Sequence, residues 1–141
     1  RLTPVTRRLR DRDPDRALEL IAAAIRDWDG GTRIADCLHV FNRDWGRRVL
    51  GQGAAVLLLT DGLERRPDER LGRETERLGM SCRRLLWLNP LLRYDEFRPR
   101  ARGMRLMLPH VDDLVPVHNI DSLEHLATRL GDTLKARRRT R

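Results

Sequence analysis

The chain has 141 residues, with 29 Lys+Arg against 21 Asp+Glu (formal charge +8), 40% apolar residues and two cysteines. That length suits one domain able to bury a core without a metal or disulfide staple. Cys37 and Cys82 are too few for a disulfide framework, which favours a reduced, cytoplasmic protein, and the longest apolar run, Ala54 to Leu59, is far too short to cross a bilayer.

In chain order, the first residue is Arg1 rather than Met, as expected of a piece of a longer protein. Leu2 to Val5 is short and apolar, the end of a strand or a loop. Asp13-Pro14 predicts a helix start, because Asp accepts from free amides and Pro suits the first turn. Ala17, Leu18, Ile21, Ala24 and Ile25 recur at helical spacing until Asp29-Gly30-Gly31 breaks the pattern. A second helix follows Thr32, with Ile34, Cys37, Leu38, Phe41, Trp45 and Val49 as its inner stripe, and Gly51-Gln52-Gly53 ends it. Ala54 to Leu59 has no polar residue and reads as a strand covered on both faces of a parallel sheet.

Thr60-Asp61-Gly62 follows at that strand's carboxyl end. Pro67 opens a third helix that carries Leu71 and Leu78 inward and is closed by Gly79. Leu85 to Leu88 is a second strand stopped by Asn89-Pro90, and Arg102 to Leu108 a short helix ended by Pro109. Leu114-Val115-Pro116-Val117 is a third strand whose Pro places it at a sheet edge. Asp121 with Glu124 resembles a capping box for a last helix bearing Leu123, Leu126, Ala127, Leu130 and Leu134. Strands alternating with helices predict an α/β fold: an open, mainly parallel sheet with helices on both faces. The chain closes on a basic segment, residues 135–141, expected to be a solvated tail.

That tail dissects the charge. Lys135, Arg137, Arg138, Arg139 and Arg141 leave 24 basic against 21 acidic residues in the remainder, a nearly balanced body. No aromatic residue is interleaved with the tail as a stacking platform for bases would need. Nucleic-acid binding is therefore a secondary reading.

Ligands of open α/β sheets sit beyond the carboxyl ends of the strands. This rule selects Thr60-Asp61-Gly62, Asn89-Pro90 and the loop around His118-Asn119. It also draws in Thr32, because the helix after it must run back antiparallel to the strand at Ala54, bringing its start to the edge that carries Asp61. A hydroxyl and a carboxylate there are hard oxygen donors of the type that holds Mg²⁺. On spacing alone, a turn role for Asp61 before Gly62 and a helix N-cap role for Thr32 are the stronger reading. Other constellations are thinner. Gly51-x-Gly53 precedes a strand rather than following one; His39, His110, His118 and His125 lack zinc spacing; Ser81 and Ser122 lack the flanking glycines of a nucleophile elbow. Cys82 reads as a structural thiol and His39 as a packed residue.

Several strings resemble the von Willebrand factor A (VWA) domain of CoxE-like proteins: Asp27-Trp28-Asp29-Gly30-Gly31-Thr32-Arg33-Ile34, Phe41-Asn42-Arg43-Asp44-Trp45, Leu57-Leu58-Leu59-Thr60-Asp61-Gly62-Leu63, Cys82 to Leu91, and Leu108 to Asp112 with Pro116 to Asn119. The resemblance implies a metal-ion-dependent adhesion site, built in that family from a D-x-S-x-S loop after the first strand, a Thr and an Asp. Thr32 matches the Thr and Asp61 the Asp. The D-x-S-x-S loop has no counterpart, so residues 1–134 are expected to be a partial VWA domain lacking its first strand. Thr32 and Asp61 alone are then expected to hold Mg²⁺ poorly, and an apolar edge is expected beside Ala54–Leu59. The family further implies binding rather than catalysis, in an adaptor that couples a MoxR-type AAA+ ATPase to a metalloenzyme client such as molybdenum carbon monoxide dehydrogenase. The competing expectations are a Mg²⁺-dependent hydrolase using Asp61 with Glu64, and nucleic-acid binding through the tail.

Overall fold

The computed structural model describes residues 2–25, 33–92, 101–117, 119, 121–122, 124–128 and 130. Asp29-Gly30-Gly31-Thr32, His118 and the basic segment 135–141 lie outside the described residues.

Helix α1 spans Pro14–Ala24, and the Asp13 side chain caps it by accepting from the Asp15 and Arg16 amides. It packs on the turn Arg8–Arg10. Of its expected inner stripe only Ala17 is buried, and Leu18 stands exposed.

A continuous helical run follows: α2 (Ile34–Val40), a π turn (Phe41–Trp45) and α3 (Gly46–Leu50). The sequence pattern treated this run as one regular helix, and here the structure corrects it. A π turn holds more residues per revolution than an α turn, so it shifts the phase of everything beyond it. Ile34, Leu38, Asn42, Gly46 and Leu50, four residues apart, are therefore buried, together with Ala35. Val49, expected inside, is exposed.

The strands β1 (Ala55–Leu59), β2 (Arg84–Asn89) and β3 (Asp113–Pro116) form a parallel sheet in the order β1-β2-β3. The register sets Leu58 beside Trp87 and Trp87 beside Leu114. Two crossovers connect them: α4 (Glu69–Ser81), capped by Asp68, and α5 (Arg102–Met107), which runs into the 3-10 turn Leu108–His110. Gly79 lies inside α4 rather than closing it.

On one face Ile34, Leu38, Leu71, Leu78, Met104 and Met107 pack over Leu85 and Trp87. On the other, Leu126, from helical residues 124–128, covers Leu86, Leu88 and Val115. Burying each such side chain contributes on the order of 2 kcal/mol. Asn119, not Asp121, caps the last helix, its Oδ1 accepting from the Ser122 amide at 2.8 Å.

Pro116 does mark an edge strand. β1 is the other edge, and it departs from expectation in one respect. Val56 and Leu58 pack against the helical layer, but Leu57 and Leu59 are 44% and 67% exposed. Among the described residues the second face of β1 is uncovered, so the strand is not shielded on both sides as its composition predicts. Among the described residues β1 has no strand on its outer side, in line with the apolar edge expected beside it. Long apolar edges of this kind are templates for pairing with another strand.

One polar cluster sits beneath the π turn. Glu74 on α4 is 9% exposed. Its Oε1 lies 2.7 Å from His39 Nδ1, and Asn42 Nδ2 donates both to its Oε2 (2.8 Å) and to its backbone carbonyl (2.9 Å). Both acceptors fix the orientation of the Asn42 amide, which leaves Oδ1 buried with no partner among the described residues.

Candidate functional site at the carboxyl edge of the sheet

All three strands point their carboxyl ends at one edge. There the chain leaves β1 through Thr60-Asp61-Gly62-Leu63, and the turn is pinned from below at two points. Trp87, fully buried, donates its indole N–H to the Thr60 carbonyl (2.9 Å). Asn89, also fully buried, donates Nδ2 to the Asp61 carbonyl (3.2 Å) and accepts the Leu91 amide on Oδ1 (2.9 Å). A polar residue that continues an apolar strand into the core must find such partners, or its burial costs more than the strand gains.

The turn is also closed on itself. Thr60 Oγ1 accepts from the Gly62 amide (3.2 Å), and Asp61 Oδ1 from the Leu63 amide (2.9 Å). Gly62 takes φ +73°, and a Cβ there would stand 2.5 Å from Trp87 Cζ2. Only glycine allows the turn to lie flat on the indole.

The segment beyond the turn reaches the start of α2: Glu64 Oε2 accepts from the Ala35 amide at 3.3 Å. The amino end of α2, two residues after Thr32, is thus held against the segment that carries Asp61. Thr32 itself is outside the described residues. A groove of about 750 Å³ opens there, lined by four arginines (Arg33, Arg65, Arg66 and Arg70), three carboxylates (Asp36, Glu64 and Asp68), Ala35 and Leu63. A smaller cavity of about 320 Å³, beside Gly79, His110 and Asp112, lies at the opposite, amino edge.

The donors at Asp61 can be tested against the Mg²⁺ that the resemblance implies. Asp61 brings one carboxylate, with Oδ1 already accepting the Leu63 amide. Among the described residues no group of three or more His, Cys, Asp or Glu converges on a metal-sized space. Mg²⁺ wants near-octahedral oxygen coordination. The described residues do not by themselves fit the ion.

The other candidates resolve into structural roles. His39 pairs with Glu74, and Glu64 caps α2. Burial, together with the charge of Asp112, pushes the Cys82 thiol up and away from its reactive thiolate form. Sequence reasoning marked Asn89 as a strand end but missed it and Trp87 as the clamps of the Asp61 turn. The signal was available: an Asn inside Leu85-Leu86-Trp87-Leu88-Asn89 has to be bonded. It also missed the arginine-walled groove, because Arg33 is far in sequence from Arg65, Arg66 and Arg70.

An open parallel sheet with helices on both faces and an acidic turn at its carboxyl edge is the architecture of an α/β binding domain. Residues 1–123 match the family of VWA domain containing CoxE-like protein, and the chain belongs to that family. Neither a curated protein nor a solved structure matches it. As a VWA domain it is of a protein-interaction class. Among the described residues no helix is long and apolar enough to cross a membrane.

Proposed function

We propose that the chain is the interaction module of a cytoplasmic CoxE-like adaptor, working with a MoxR-type AAA+ ATPase on a metalloenzyme client such as molybdenum carbon monoxide dehydrogenase. Its role is binding rather than catalysis, and its contact face is the carboxyl edge around Asp61. Thr32 and Asp61 are this chain's two contributions to a Mg²⁺ site, whose remaining oxygens come from another segment of the full-length protein. The observation that carries this reading is the fixing of the Asp61 turn: Trp87 and Asn89 spend buried hydrogen bonds on its carbonyls, while Asp61 itself is only half-buried. Buried donors aimed at a surface turn preorganise it, which is what a recognition loop needs.

The test is capture of a MoxR-type ATPase by the full-length protein. Asp61→Ala removes one surface hydrogen bond, worth about 1 kcal/mol, so the variant stays folded. Capture is expected to fall at least about tenfold, the 1.4 kcal/mol scale of one good polar contact. Undiminished capture by a folded variant overturns the proposal.

A further inference from the structure

The groove beside the Asp61 turn carries charge that the fold does not use. Its three carboxylates are all engaged internally: Asp36 by Arg70 (2.8 Å) and Arg33 (3.7 Å), Glu64 by the Ala35 amide, and Asp68 by the Arg70 amide. Arg65 and Arg66 also line the groove, are exposed, and make no ion pair or side-chain hydrogen bond among the described residues. Leu63, 45% exposed, lines the same groove. Two uncommitted guanidinium groups and an exposed apolar side chain in one groove form a surface with both a charge and an apolar contact to be matched.

We infer that this groove docks an acidic protein segment, with carboxylates of the segment on Arg65 and Arg66 and an apolar side chain on Leu63. Guanidinium is the natural partner of carboxylate because its planar fork gives paired N–H donors. Among the described residues each carboxylate of the groove has an internal partner, whereas Arg65 and Arg66 have none. A nucleic acid is disfavoured by the same inventory. Asp36, Glu64 and Asp68 line the groove together with the arginines and would repel a continuous phosphate chain. Among the described residues no aromatic side chain lines the groove to stack a base. A protein segment can place its carboxylates only where the arginines are.

The inference rests on the reading of the domain as an interaction module, but it asks for no metal at Asp61. That difference lets the two fail separately. The probe is a fluorescein-labelled twelve-residue peptide of alternating Glu and Leu, titrated against the protein by anisotropy. Its counterpart has Gln for every Glu, and a twelve-residue oligothymidine stands for nucleic acid. The double variant Arg65→Glu/Arg66→Glu is compared with Arg7→Glu/Arg12→Glu, an equal charge change at exposed residues of the amino-terminal segment. Like charges set against the peptide should weaken the groove variant at least about tenfold and leave the remote variant within about twofold. Chelation with EDTA is expected to leave the affinity within about twofold as well. Equal loss in both double variants, equal binding of the Gln peptide, tighter binding of the oligothymidine, or no binding by the wild type would each overturn it. Loss on chelation alone would instead assign the peptide to a metal at Asp61 and also remove the inference.

Discussion

Gly62→Ala is expected to lower stability by about 3 kcal/mol, from a left-handed backbone penalty of about 1–2 and overpacking of about 1–3. For a domain of this size that corresponds to roughly 10 °C in Tm. The added methyl meets the Trp87 ring at 2.5 and 2.9 Å and Met104 Cγ at 3.2 Å. The ring cannot retreat, because Trp87 is fully buried in β2 and its N–H is bonded to the Thr60 carbonyl. Relief therefore has to come from lifting the turn, which also displaces Asp61. Gly53 provides the internal control: its φ is +68°, but a Cβ there meets nothing nearer than Arg83 Cβ at 3.9 Å. Gly53→Ala should cost only the backbone part, about 1 kcal/mol. Chemical denaturation of both variants checks this, and equal losses would show that the turn does not rest on the indole.

Glu74→Gln should destabilise the protein near neutral pH by about 2 kcal/mol, the range of hydrogen bonds to a charged group, and the deficit should vanish in acid. Burial raises the Glu74 carboxyl, but the hydrogen bonds from Asn42 and His39, with the charges of His39 and Arg77, outweigh it. The folded-state pKa is left below the model-compound value of 4.5. A carboxyl depressed by folding contributes stability that is present above its unfolded pKa and is lost as pH falls through the folded one. The wild type should therefore lose stability more steeply than Glu74→Gln below about pH 4.5. Urea midpoints between pH 7 and pH 3 measure the difference. Parallel pH curves would mean that the carboxylate is not held ionised by its neighbours.

Much of the architecture was legible because local chemistry and tertiary packing agree. Asp13-Pro14 announces α1, the Leu71 and Leu78 spacing announces α4, and the run Leu85-Leu86-Trp87-Leu88 is buried on both faces as its composition requires. Pro116 correctly marked an edge strand, since its missing N–H cannot serve an interior ladder. What was not legible depended on phase or on distant neighbours. The π turn at Phe41–Trp45 leaves no mark in an apolar periodicity, so the inner stripe includes Val49 and omits Asn42, whereas Val49 is exposed and Asn42 buried. Ala54–Leu59 has the composition of a covered strand, and only the strand order shows that one face is bare. At the site, Asp61 could be selected from its place after a strand. Its supports, Trp87 and Asn89, come from the neighbouring strand and are joined to it only by register.

The central claim is that the carboxyl edge of the sheet is the contact face, and amide hydrogen exchange of the full-length protein with and without a MoxR-type ATPase tests it most directly. The Gly62 and Leu63 amides are bonded only to the side chains of their own turn, and the Ala35 amide to Glu64, so they report on any partner that covers this edge. The account predicts slowed exchange at Ala35, Gly62 and Leu63 on complex formation, with no change at Leu85 and Asp112 on the amino edge. Protection confined to the amino edge, or a stable complex with no protection at the turn, would contradict it.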